Sequence, residues 1–300
     1  MAYDHQRILS LLTDSLKAEA TDILLKVPGR PMFRSADRLI PTPYPELTPA
    51  DTQRAAQELL GLAMREAPLA RIRELEFSFG VNRLGRFRVH LYRQRGSIAI
   101  VIHRMALSPP SLQDLQAPEL VSRLAWSQPG IVLVTGRRAR LGLLAALTDA
   151  YNRGYPGHLV SIEDPMEYLH QDIRAAISQR EVSVDTDSYR SGLLAARREN
   201  PDGVVIHDLP DAETAELALR MAESGCRVIA SISGCQMTEV TRWFTRMFPE
   251  YRESEMATRL SEVLTAVISE TDGKIKILPT SEAIRGAILR HMPLPLTRAA

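Results

Sequence analysis

The sequence predicts an α/β chain of two domains, an N-terminal α+β domain followed by one built on a parallel sheet. Three observations lead there. The chain has 300 residues, about twice the usual length of a single domain. Residues 75–104 alternate apolar and polar positions, as half-buried antiparallel strands do. Beyond Pro109-Pro110-Ser111 the texture changes to short, continuous apolar runs separated by helical patterns. Continuous runs describe strands buried on both faces, hence a parallel sheet flanked by helices. The boundary falls at that proline loop, giving domains 1–108 and 109–300.

The elements follow in order. Ile8, Leu11, Leu12 and Leu16 recur at helical spacing from Asp4 onward. Thr21 to Val27 reads as a strand closed by the turn signal Pro28-Gly29, with a short extended piece near Met32-Phe33-Arg34. Thr48-Pro49-Ala50-Asp51 is a helix start, with Thr48 as cap and Pro49 at the first helical position, and the helix is expected to reach about Ala67. Strands then follow on Leu75, Phe77 and Phe79, on Phe87, Val89 and Leu91, and on Ile98, Ile100 and Ile102. In the second domain, strands are expected at 130–134, 158–162, 203–206 and 227–232, with helices near 141–153, 188–199 and 212–224. Trp126 and Trp243 are expected to pack, and the tail beyond His291, with Pro293 and Pro295, to be extended.

Composition excludes several classes. Lys and Arg number 37 against 36 Asp and Glu, for a net charge of +1, which argues against a general nucleic-acid or acidic-membrane binder. No apolar run approaches the roughly 18 residues of a membrane span. The N-terminus has Asp4, His5 and Gln6 where a secretory signal would turn apolar. Cys226 and Cys235 have no metal or disulfide-framework spacing, and His103, His158 and His170 have no partner spacing for a metal or a triad. A cytoplasmic protein with free cysteines and no metal site is expected. Within the balanced charge, only Lys17, Lys26, Lys274 and Lys276 are lysines, so none lies between Val27 and Gly273.

In open parallel sheets, ligands sit beyond the carboxyl ends of the strands. Here those ends are Thr135-Gly136-Arg137-Arg138, Glu163-Asp164-Pro165, His207-Asp208-Leu209 and Ser233-Gly234-Cys235. All are polar or contain glycine, as in a nucleotide-binding core.

Several segments, in order over nearly the whole chain, resemble the PilT-like type IV pilus retraction ATPases, within the type II/type IV secretion ATPases. They are Ala20 to Ile23, Gly85 to Val89, Ile131 to Gly136, Ser161 to Glu167, Gln179 to Val182, Arg198 to Asp202, Asp211 to Leu219, and Ala283-Ile284-Arg285. The resemblance implies a PAS-like N-terminal domain, a RecA-like P-loop-type domain and a hexameric ring of like or paralogous subunits. It also implies an inner-membrane pilus platform protein as partner, peripheral association there, and ATP with magnesium as ligand. It assigns Glu163 to a motif whose carboxylate prepares the attacking water. Arg86, Arg88, Arg95 and Arg104 fall on a basic face that would supply arginines to the nucleotide, although strand alternation alone describes a solvated face.

The departures from the family fall on the ligand site. A P-loop needs GxxxxGK[ST]: glycines let backbone N–H groups wrap the phosphates, lysine reaches the terminal phosphates, and a hydroxyl holds magnesium. The corresponding stretch runs Thr135-Gly136-Arg137-Arg138-Ala139-Arg140-Leu141-Gly142-Leu143-Leu144. It is about two residues short when its flanks are held in register, and neither lysine nor hydroxyl follows Gly142. The one Gly-Lys pair, Gly273-Lys274, lacks the upstream glycine and downstream hydroxyl. Arg137, Arg138 and Arg140 either cap a shortened turn or bind an anion, because a planar guanidinium does not reproduce a lysine point charge inside the loop. The family's Gly-Glu pair is His207-Asp208 here, one methylene shorter at the acid, and its histidine box aligns with Ser233-Gly234. Two readings stand: a pseudo-ATPase acting as a structural or regulatory subunit, with Glu163 and Asp208 vestigial, or a working retraction ATPase with a non-standard loop.

Overall fold

The structure is a computed structural model describing residues 3–35, 38–105, 108–136, 140–271 and 273–295, with Arg140 described by its backbone only. The chain divides into two compact units, 1–107 and 108–300.

The first unit runs α1 (His5–Lys17), β1 (Asp22–Leu25), β2 (Met32–Ser35), β3 (Arg38–Pro41), α2 (Pro49–Leu62), β4 (Glu74–Val81), β5 (Gly85–Gln94) and β6 (Ser97–Arg104). Local chemistry fixes the helix starts. The Asp4 side chain accepts from the Arg7 amide at α1, and Thr48 and Asp51 cap each other's backbone at α2. The second helix stops at Leu62, not near Ala67. Met64 takes a left-handed φ of 51° and is exposed, while the Arg65 amide reaches back to the Leu60 carbonyl. The strands form one antiparallel sheet ordered β3-β2-β1-β6-β5-β4. Its inner face presents Phe77, Phe79, Phe87, Val89, Leu91, Ile100 and Ile102 to Ile8, Leu11, Leu12, Ala55 and Leu59 of the two helices. The expected alternation is therefore the core pattern of this sheet.

The second unit continues with α3 (Glu119–Ala125), β7 (Gly130–Gly136), α4 (Arg140–Gly154), β8 (His158–Glu163), β9 (Ala176–Glu181), α5 (Tyr189–Glu199) and β10 (Gly203–Ile206). After these come α6 (Ala212–Glu223), β11 (Arg227–Ser233), α7 (Val240–Thr245), α8 (Glu250–Val263), β12 (Leu264–Thr271), β13 (Lys274–Pro279) and α9 (Glu282–Leu289). The sheet order is β13-β12-β7-β11-β10-β8-β9, with every neighbouring pair parallel except β12 and β13. This is the RecA-like parallel-sheet arrangement, with cores on both faces. Ile131 and Leu133 enter one core with α5, α6 and α8, while Val132 and Val134 enter the other with Leu143, Leu144 and Leu147 of α4. The period-2 alternation of a strand explains why a run with no polar breaks was needed. Trp126 is fully buried, whereas Trp243 on α7 is 42% exposed and does not pack as expected.

Candidate functional site

Of the strand ends expected to carry chemistry, those holding Glu163 and His207 bring these two side chains together on the α4 face of the second sheet. The parallel registers pair Ile162 with Ile206, Ile206 with Ala230, and Glu163 with Glu181. One residue further along, Glu181, Glu163, His207 and Ser231 therefore lie side by side across four strands. Ile177, Leu159, Val205 and Ile229, at even spacing behind them, all face the α4 core. All four polar residues are buried. Adjacent polar groups in a sheet interior demand partners, and the two carboxylates have them, Glu163 in Gln179 and Glu181 in the Met166 amide.

Glu163 is 3% exposed. Its Oε1 accepts from Gln179 Nε2 at 2.8 Å, and its Oε2 lies 3.7 Å from His207 Nε2. Burial pushes the Glu163 carboxyl up, opposed by the hydrogen bond from Gln179, by the nearby Ser161 hydroxyl and by His170. The same Gln179 amide holds the segment after β8. Its Nε2 also donates to the Tyr168 carbonyl, and its Oε1 accepts from the His170 amide, both at 2.8 Å. Asn152 of α4 fastens the far part of that segment at Gln171 and Ile173. Burial pulls the His170 imidazole down, against the pull of Glu163 and Asp149.

Helix α4 begins at Arg140. Leu143 and Leu144, immediately after Gly142, are fully buried in the core. A Cβ on Gly142 would lie 3.6 Å from both Pro110 Cγ and Tyr168 Oη, so these two side chains border the first turn. Of the expected loop residues, Thr135 is buried at the end of β7, where its hydroxyl donates to the Cys235 carbonyl. Gly136 lies beside Ser233 in register, and its carbonyl accepts from the Gly234 amide at 3.4 Å. Arg137 and Arg138 lie outside the described residues. Asp208 is half-buried just beyond β10.

The four N-terminal arginines do not share one place. Arg88 lies opposite His103 and pairs with Glu76 at 3.2 Å, and His103 is held by Asp22 at 2.8 Å. Arg86 and Arg104 sit near the same end, opposite Gly80 and Phe87. Arg95 occupies the β5–β6 turn with a φ of 49°, roughly 30 Å from Arg86 at strand rise. Arg180 bonds Glu199 of α5 at 3.3 Å instead of its neighbour Glu181, since adjacent strand residues point to opposite faces. Ile284 is buried, and Arg285 donates to the Ser261 carbonyl at 2.7 Å, pinning α9 to α8.

Sequence reasoning singled out Glu163 and Asp208 but missed Gln179, His170 and His207 as its neighbours. Their spacing carries no signal, because the contact depends on the order β10-β8-β9. Among the described residues no cluster of His, Cys, Asp and Glu could hold a metal ion, and no helix is long and apolar enough to cross a membrane.

An antiparallel-sheet unit followed by a RecA-like parallel-sheet unit is the architecture of the PilT-like secretion ATPase superfamily. The chain belongs to the type II/IV secretion system protein family, whose model matches residues 103–270. It is similar to the type IV pilus ATPase PilU of Pseudomonas aeruginosa, at 27% identity over 93% of this chain and 71% of that protein. A twitching motility protein of Neisseria gonorrhoeae is 33% identical over 72% of this chain, which spans 61% of that relative's length. Among solved structures, the pilus retraction motor PilT with bound ADP superimposes with a TM-score of 0.85 at 30% identity, over 94% of this chain and 86% of that one.

Proposed function

We propose that this chain is a PilT-like protein of the type IV pilus and twitching-motility machinery that has lost productive ATP binding and acts as a structural or regulatory subunit. Its relatives are pilus ATPases by name. One observation carries the loss: Leu143 and Leu144, which follow Gly142 where the family's lysine and hydroxyl would stand, are core residues with no exposed surface. A lysine and a hydroxyl would be required there to hold triphosphate and magnesium. The described side chains at the start of α4 thus do not fit ATP with magnesium. Two or three missing charge-assisted contacts remove roughly 4–8 kcal/mol of phosphate binding, about a thousandfold or more in affinity. Asp208 and the shortened loop then have no nucleotide to serve, and Arg86, Arg88 and Arg104 remain as surface and ladder residues. In this reading the subunit joins a homomeric or mixed hexamer with pilus motor paralogues, at the cytoplasmic side of an inner-membrane platform protein, without nucleic acid.

Calorimetric titration of the purified chain with ATP and magnesium tests the reading, together with a turnover assay. No binding in the micromolar range and no turnover are expected. Hydrolysis at rates of order 1 per second, abolished by Glu163→Gln, would establish instead an active retraction ATPase with a non-standard loop.

A further inference from the structure

We propose that His207 locks Glu163 into the buried polar row of the second sheet, making this carboxylate a positioning group that a ligand at the strand ends does not reach. The proposal rests on the reading of a chain without hydrolysis and deepens it, by naming a second block independent of the loop.

Geometry carries the argument. Ile206 pairs with Ile162, so the backbone sets His207 directly beside Glu163, and the His207 amide donates to the Ile162 carbonyl at 3.0 Å. Both side chains are about 4% exposed. The 3.7 Å from Nε2 to Oε2 is too long for a direct hydrogen bond and too short for a water on the line between them. The other carboxylate oxygen is taken by Gln179, whose amide is itself fixed at Tyr168 and His170. A carboxylate that activates water must have that water within hydrogen-bond reach, and here protein groups stand on both oxygens. The surroundings are closed as well. Glu181 and Gln179 lie on β9 and Ser161 on β8; His170 and Glu167 come from the segment between them, and Ser231 is next in the row on β11. Asp149 of α4 faces His170. Removing the imidazole would open the side of Glu163 facing β10, while Gln179 holds the other side.

Carboxylate labelling with a water-soluble carbodiimide and an amine, read by mass spectrometry on the full chain, tests this. Glu262, exposed on α8, serves as the reference. In the unaltered protein Glu163 is expected to label at least about tenfold more slowly than Glu262, as a group reached only through local opening does. His207→Ala should raise the Glu163 rate about tenfold without moving Glu262, and His207→Gln, which keeps a donor of similar reach, should restore protection. If His207→Ala fails to fold, His207→Asn, too short to cover Oε2, should give the same increase. Equal labelling of Glu163 and Glu262 in the unaltered chain would overturn the lock. So would a folded His207→Ala or His207→Asn that leaves the Glu163 rate unchanged, or a His207→Gln that labels as fast as His207→Ala. ATP turnover by the unaltered chain would instead overturn the proposed function, so the two failures are distinguishable.

Discussion

Glu163 shows how a single residue changes character with its surroundings. A carboxylate at a strand end is ordinarily solvated and ionised; this one is enclosed, and burial raises its folded-state affinity for a proton. The sign of its effect on stability follows. With the folded value above the ordinary value near 4.5, the group's favourable contribution is complete at lower pH and is lost as pH rises through the folded value. Glu163→Gln carries no charge and escapes this loss. The variant is therefore expected to gain thermal stability on the unaltered protein as pH is raised from about 4 to 8, with the two converging at the acid end. Parallel melting curves across that range, with a constant offset, would show that the carboxyl titrates as an ordinary exposed group. Glu216 runs the opposite way. Hydrogen bonds from Arg252 and Arg220 hold its carboxyl at about 2, so its contribution is present above about 4.5 and is lost as pH falls toward 2.

At the scale of one element, α4 explains why the loop cannot be repaired by two point changes. Leu143 and Leu144 pack with Val132, Val134 and Leu147, and the helix is carried on the sheet by this apolar stripe. Leu143→Lys would place an ammonium among those side chains, with a cost of about 3–5 kcal/mol. A fall in melting temperature of roughly 10 °C is expected, without recovery of ATP affinity. Replacing 141–143 with a longer loop of the Gly-x-Gly-Lys-Ser kind is expected to improve ATP binding in calorimetry, because backbone amides and the lysine then stand outside the core. Turnover should stay far below that of an active motor, since Asp208 and Ser233 are unchanged and His207 still covers Glu163. A Leu143→Lys variant as stable as the parent would mean that α4 does not depend on this stripe.

On the scale of the whole molecule, charge separates what the net value hides. Residues 1–107 hold 16 Lys and Arg against 11 Asp and Glu, while residues 108–300 hold 21 against 25. The two units thus carry net charges of opposite sign, so attraction between copies of the chain is expected to weaken as salt rises. The Ala283-Ile284-Arg285 segment contributes no separate support for a ring, because Ile284 and Arg285 are used inside the chain. Mass measurement in solution is expected to find hexamers, or mixed hexamers once an active retraction motor is added, that dissociate as salt rises from 0.05 to about 0.5 M. A monomer at all salt concentrations that ignores such a motor would contradict the assembly.

By itself the sequence determined the two-part architecture, because the side-chain period of a strand is read directly from alternating and continuous apolar runs. Phe77, Phe79, Phe87 and Val89 face one core, and Ile131 to Val134 face two. It also determined the helix starts at Asp4, Thr48 and Asp211, where a capping side chain satisfies its own neighbours' amides. Less was legible in β9, whose polar Ser178, Gln179 and Arg180 resemble a loop, and in β12, β13 and α9, which no spacing announced. The candidate site divides in the same way. Glu163 and the loop without its lysine could be read along the chain. Only the tertiary structure set His207 beside Glu163, placed Gln179 beneath the segment after β8, and moved Arg95 away from Arg86. Strand order and parallel register bring together residues 16 and 44 positions apart in the chain, and no local pattern encodes which strands become neighbours.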